Sequence, residues 1–172
     1  TFASGLFWVA VLLSALLAVH RSAALELSDG TLDALRMSGL PPAALFLGKA
    51  TAVFVQLMLL EVVLLGGLLV LYGVQVVDPM LLLVSGLLAG VAVAAAGTLY
   101  GALASGLGAR ETLLPILLLP VLAPVLIGAT RAFDDALGSV AVDGWAWTGL
   151  LAVAALIATV VGALVHGVLI ED

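Results

Sequence analysis

From Pro79 to Ala109 the chain carries no charged side chain, and long apolar runs of the same kind precede and follow that stretch. A segment of this length and character restricts the backbone severely. In hydrocarbon every N–H and C=O must be paired within the protein, so only helices and closed barrels can span it. The period-two alternation of a membrane barrel is absent. The charged groups sit between the apolar runs instead of recurring along one helical face, so bilayer spans explain them better than a soluble bundle does. Composition agrees, since 65% of residues are hydrophobic and 9% charged, against about a quarter charged in soluble domains. The expected fold class is all-α, a polytopic transmembrane helical bundle embedded in the lipid bilayer.

Five spans can be drawn, at about residues 2–19, 43–72, 80–105, 112–130 and 147–170. The second is longer than the roughly 20 residues a bilayer requires, so it must tilt or project. The third holds Gly86 and Gly90, then Gly97 and Gly101, at a spacing that lets helix backbones approach closely. The fourth contains Pro115, Pro120 and Pro124. Each removes a backbone donor, so this span is expected to be broken or distorted. The segment 131–146 carries Asp134, Asp135 and Asp143 and is expected to form a short amphipathic or re-entrant hairpin that meets partners outside. Trp145 and Trp147 then mark a membrane interface.

Orientation follows from the basic residues. If the interval Glu26–Lys49 is cytoplasmic, Arg21, Arg36, Lys49 and Arg110 lie inside and only Arg131 lies outside, which is the favoured arrangement. It places residue 1 on the outer side. Thr1-Phe2-Ala3-Ser4 has no basic region of the kind that opens a signal peptide. One further span is therefore expected before it, giving six in the native molecule with both ends in the cytoplasm.

Glu26–Lys49 is the one long interval punctuated by polar residues. Its middle, about 29–38, reads as a short amphipathic helix. Ser28 or Asp29 can cap it, Leu32, Leu35 and Met37 give an irregular apolar side, and Asp29, Asp33 and Arg36 share the opposite face. Gly39 supplies a carboxyl-terminal cap, and Pro41-Pro42 can occupy the first turn of the next helix. On spacing alone an interfacial connector between two spans is the favoured reading.

Chemistry is sparse elsewhere. The absence of cysteine excludes disulfides and thiolate metal sites, and no basic patch exists to bind nucleic acid. Gly48-Lys49 lacks the first glycine and the Ser or Thr of a phosphate-binding loop, and hydrolase and protease motifs are missing. The chain is expected not to be an enzyme, and any energy must come from a partner. Glu61 is the one acidic residue deep in a span, roughly 18 Å beyond Lys49 at 1.5 Å per residue. An ionisable group there is a functional candidate by default. Gln56 could line the same region, although not on the same side. His20 and His166 fall near the cytoplasmic interface, where histidine serves as an amphipathic anchor more often than as a haem ligand. Arg110-Glu111 reads as a loop charge pair.

Asp29-Gly30-Thr31-Leu32, then Leu35, Ser38, Pro41 and Gly48-Lys49, resemble the coupling-helix segment of ABC-2 type transporter permeases. The run Arg110-Glu111-Thr112-Leu113-Leu114-Pro115, continuing through Pro120 and Pro124 to Gly128, together with Asp29-Gly30-Thr31-Leu32, resembles the haem exporter protein B family. That family is the permease subunit of the cytochrome c maturation transporter. The likeness runs from about residue 2 to 170. Glu111 stands where a small residue is common, and Gly39-Leu40 separates Ser38 from the first proline.

The resemblance implies a multi-pass protein of the bacterial inner membrane that pairs with a cytoplasmic ABC ATPase subunit. ATP would be bound and hydrolysed there, and no cofactor is expected on this chain. The further partners implied are other cytochrome c maturation membrane proteins, a haem chaperone and a second copy of this chain, with haem as substrate. Asp29, Gly30, Thr31, Leu32, Asp33, Leu35, Arg36 and Ser38 would form the docking surface, and Pro41 and Pro42 the hinge. The alternatives are an ABC-2 exporter of a drug, lipid or polysaccharide, and a membrane assembly subunit that transports nothing.

Overall fold

The structure, a computed structural model, describes residues 2–27, 33–34, 37–106 and 110–171. Among them are five long helices and no strand. They are α1 (Phe2–Leu27), α2 (Pro42–Tyr72), α3 (Pro79–Gly106), α4 (Arg110–Ala136) and α5 (Gly144–Glu171). Each is long and apolar enough to cross a membrane, so the chain is an all-α, multi-pass bundle.

The layout is a ring around a post. α3 touches all four other helices, and these touch one another in the closed order α1, α2, α5, α4. The α3 span is 67% buried, whereas those of α2 and α5 are each 22% buried. Its composition explains the central place. Small residues let several backbones come close at once, which in lipid replaces hydrophobic burial as the source of helix association. The two glycine pairs serve different neighbours. Gly86 and Gly90 face Glu61 and Met58 of α2, whereas Gly97 and Gly101 face Val19 of α1.

Helix ends follow local chemistry. α2 stops at Gly73, whose φ of 59° is open to glycine at little cost. Asp78 Oδ1 accepts from Leu81 N at 3.0 Å to cap α3, and Asp143 Oδ1 accepts from Ala146 N at 3.1 Å to cap α5. The connections at this end interlock, because Val77 N and Asp78 N both donate to Ala136 O, at 2.8 and 3.0 Å. Within the spans, the hydroxyls of Ser85, Thr98, Thr148 and Thr159 donate to carbonyls four residues back, so none is left bare in hydrocarbon.

Three expectations need correction. α4 is a single uninterrupted helix through Pro115, Pro120 and Pro124. Leu114, Leu118, Leu122, Val125, Ala129 and Ala132 keep a helical period of inward-facing positions across all three, and Pro120 and Pro124 lie on the exposed side. The missing donors therefore fall where the hydrogen-bond ladder can open without disturbing the packed face. Secondly, 131–146 is not a re-entrant hairpin. Residues 131–136 complete α4, and a short turn leads into α5 at Gly144. α1 likewise runs past the expected limit at residue 19 to Leu27.

Candidate functional site

The interval between α1 and α2 is where sequence places the docking surface. Asp29, Gly30, Thr31, Leu32, Leu35 and Arg36 lie outside the described residues. Asp33 and Met37 are helical and exposed, and Ser38 is in the turn that follows. Gly39 takes φ 68°, the left-handed conformation that suits a helix stop. Leu40 N then donates to Ser38 Oγ at 3.5 Å. Pro41, extended, is the cap residue, and Pro42 is the first residue of α2. Pro41 O accepts from Ala44 N at 2.9 Å, so the proline pair leads directly into the helical ladder.

The first turns of α2 are seated against the last turns of α5. Pro42 faces Gly167, and the Phe46 ring lies over Gly162, where any side chain would collide with it. Phe46 is completely buried. The His166 ring lies 5.6 Å from it, centroid to centroid. Ala50, Ala95 and Leu99 complete the cluster. The expectation that His166 is an interfacial anchor is thereby corrected, since the residue is 1% exposed. His20 is partly exposed. The signal for the α2–α5 contact was present in sequence as a glycine five residues before another on α5, but nothing local identified its partner.

Glu61 is the second feature. It is buried on the inner face of α2, and its oxygens lie against Gly86 and Gly90 of α3, where a β-carbon would stand 3.3 Å from Oε2 and 3.4 Å from Oε1. Phe133 of α4 closes the same space. Among the described residues Oε1 meets no donor, so the glycine pair accommodates a carboxyl group as well as a close helix crossing. Gln56 faces outward and is not brought to Glu61.

A third constellation lies at the end of the bundle bearing Phe2. Ser4 Oγ on α1 donates to Asp134 Oδ1 on α4, and Ser139 Oγ donates to the same oxygen at 3.2 Å. Asp135 Oδ2 accepts from Gly144 N at 2.9 Å. The two carboxylates thus tie α1, α4 and the start of α5 together. Below them Phe7, Trp8 and Phe133 pack with centroids 5.0–5.3 Å apart. Ser4 and Asp134 are 130 positions apart, so no local pattern could have paired them.

Comparison with known proteins now bears on these features. The profile of the family described as CcmB protein matches residues 1–169. The chain belongs to the CcmB protein family. It is similar to the Heme exporter protein B of Rhodobacter capsulatus, with 37% identity over 125 residues, covering 73% of this chain and 57% of that protein. The chain thus spans little more than half the length of the curated relative it matches. No solved structure matches. For a CcmB-family chain, the apolar bundle and the long polar-punctuated connection from α1 to α2 are the features on which a transport role would rest.

Proposed function

We propose that this chain is the permease component of an ABC transporter for cytochrome c maturation, coupling ATP hydrolysis on a cytoplasmic partner to haem export or to release of a haem-loaded chaperone. The reading draws on membership of the CcmB family and on the name of the Rhodobacter relative, Heme exporter protein B. The structural observation that carries it is the seating of Pro42 and Phe46 on Gly167, Gly162 and His166. A force applied to the segment around Asp33 enters α2 through Pro41-Pro42 and cannot remain there. The buried Phe46 ring passes it to α5, while Glu61 and the glycines of α3 link the same helix to the central post. Coupling between distant sites needs such a rigid, contiguous connection.

In this mechanism the chain does no covalent chemistry. The partner ATPase supplies the energy, the docking segment receives it, and the α2–α5 pair passes it to the central post α3. The bacterial inner membrane is the proposed location, with 26–49 on the cytoplasmic side. Further proposed partners are the other maturation membrane proteins, the haem chaperone and a second copy of the chain.

The test separates docking from transmission. In the full-length protein with its partners, Asp33→Arg or Leu35→Glu is expected to abolish co-purification of the ATPase subunit and lower cytochrome c yield. Phe46→Ala is expected to lower cytochrome c yield while the ATPase still co-purifies. Unchanged association and unchanged yield in the two docking variants would overturn the assignment.

A further inference from the structure

Glu61 is a buried titratable group in apolar company. It is 7% exposed and stands eleven residues before the end of α2 at Tyr72, roughly 16 Å from that end at 1.5 Å per residue. Oε2 lies over Gly86 and Oε1 over Gly90, one turn further along α3. Phe54 and Met58, from the preceding turns of α2, and Phe133 of α4 line the rest of the space. A side chain on either glycine would crowd it, so the notch in α3 matches the carboxyl group in size.

Among the described residues, no facing element brings a charge to this carboxyl group, and Oε1 accepts no hydrogen bond. α3 carries no charged side chain from Pro79 to Gly106. Its buried hydroxyls, on Ser85 and Thr98, donate to carbonyls of their own helix. Tyr100 lies ten residues past Gly90, and Asp78 caps the start of α3. On α4 the charged neighbours of Phe133 are engaged elsewhere. Ser4 of α1 donates to Asp134, Gly144 N donates to Asp135, and Arg131 lines the groove between α1 and α4. α1 brings only Phe7 and Trp8 to Phe133, and its His20 and Arg21 lie towards the other end of that helix. Lys49 is roughly 18 Å back along α2, and His166 of α5 lies beyond it, against Phe46. An isolated carboxylate taken out of water binds a proton in preference to keeping its charge.

We propose that Glu61 is a proton-binding site. In this arrangement of the bundle it is a neutral carboxylic acid, and the proton leaves only when α2 moves away from α3 and water reaches the carboxyl group. The ligand is a single proton, because one carboxyl group among glycines, phenylalanines and a methionine offers a metal cation too few oxygens. A neutral acid also explains how an acidic residue can sit at a close helix crossing built on small residues. Proton release and separation of α2 from α3 are then one event. The site depends only on the packing of α2, α3 and α4, whatever the chain transports.

The experiment uses the full-length protein with its membrane partners in nanodiscs, read by infrared difference spectroscopy against Glu61→Gln, which keeps the shape of the side chain. At pH 7 the wild type is expected to show the carbonyl band of a protonated carboxylic acid, lost in the variant. On transfer to D2O that band is expected to take its isotope shift slowly, as the helices open, and on raising the pH it is expected to give way to carboxylate bands. Gly86→Ala, whose new methyl would stand 3.3 Å from Oε2, is expected to displace the band without removing it, which assigns it independently of Glu61→Gln. Carboxylate bands alone at pH 7, immediate exchange in D2O, or a band unmoved in Gly86→Ala would each overturn the proposal.

Discussion

Replacing Gly162 with alanine tests the α2–α5 contact, and Gly167 on the same helix provides an internal control. A β-carbon at position 162 would lie 2.6 and 2.7 Å from Phe46 Cε2 and Cε1, whereas carbon atoms in contact prefer roughly 3.5–4.0 Å. Phe46 Cζ lies closer still, so the ring would have to retreat by roughly 1.5 Å or more. Phe46 is fully buried, with Ala50, Ala95 and Leu99 around it, so the backbones of α2 and α5 must separate. Overpacking of this kind costs about 1–3 kcal/mol. At position 167 the new β-carbon would meet Pro42 Cβ and Cγ at 3.5 and 3.6 Å, an ordinary contact. Both substitutions gain up to about 1 kcal/mol of helix propensity. That gain cancels in the comparison, so Gly162→Ala is expected to be less stable than Gly167→Ala by about 1–3 kcal/mol. The assay is reversible unfolding in mixed micelles or by steric trapping, with Phe46→Leu added to Gly162→Ala to relieve the clash. Equal stability of the two alanine variants, or no recovery in the double variant, would refute the packing argument.

Three further outcomes follow from the other clusters. Ser4→Ala removes one of the hydroxyls that donate to Asp134 in a buried setting, and the same unfolding measurement should record a loss of about 1–2 kcal/mol. Glu61→Gln preserves the shape that fills the space beside Gly86 and Gly90 and should leave stability within about 1 kcal/mol of the wild type. Gly90→Leu, whose first added carbon already meets Phe54 at 3.3 Å and Glu61 Oε1 at 3.4 Å, should prevent folding, read as loss of monodisperse protein after extraction.

Much of the bundle was legible because membrane insertion is decided one segment at a time. The span from Pro79 to Ala104 announces itself by an unbroken lack of charge, and Asp78 before Pro79 and Asp143 before Gly144 mark helix starts through caps within three residues. The prolines of α4 were misleading because their local cost was visible and their placement was not. Pro120 and Pro124 lie on the exposed side of a helix whose inward stripe is continuous. The rule that proline breaks a helix holds least where the strained side is free to open.

By itself, then, the sequence determined that this chain is an all-α, multi-pass bundle of long apolar helices, and which family it resembles, since hydropathy, capping and motif spacing all act over a few neighbouring residues. Only the tertiary structure decided that α3 is the central post, that Gly86 and Gly90 make room for Glu61, that Phe46 seats on Gly162, and that Ser4 reaches Asp134 across 130 positions of the chain. In lipid no hydrophobic difference sorts one apolar helix face from another. Partner choice therefore rests on shape and on a few buried polar groups, and both depend on residues far apart in the chain.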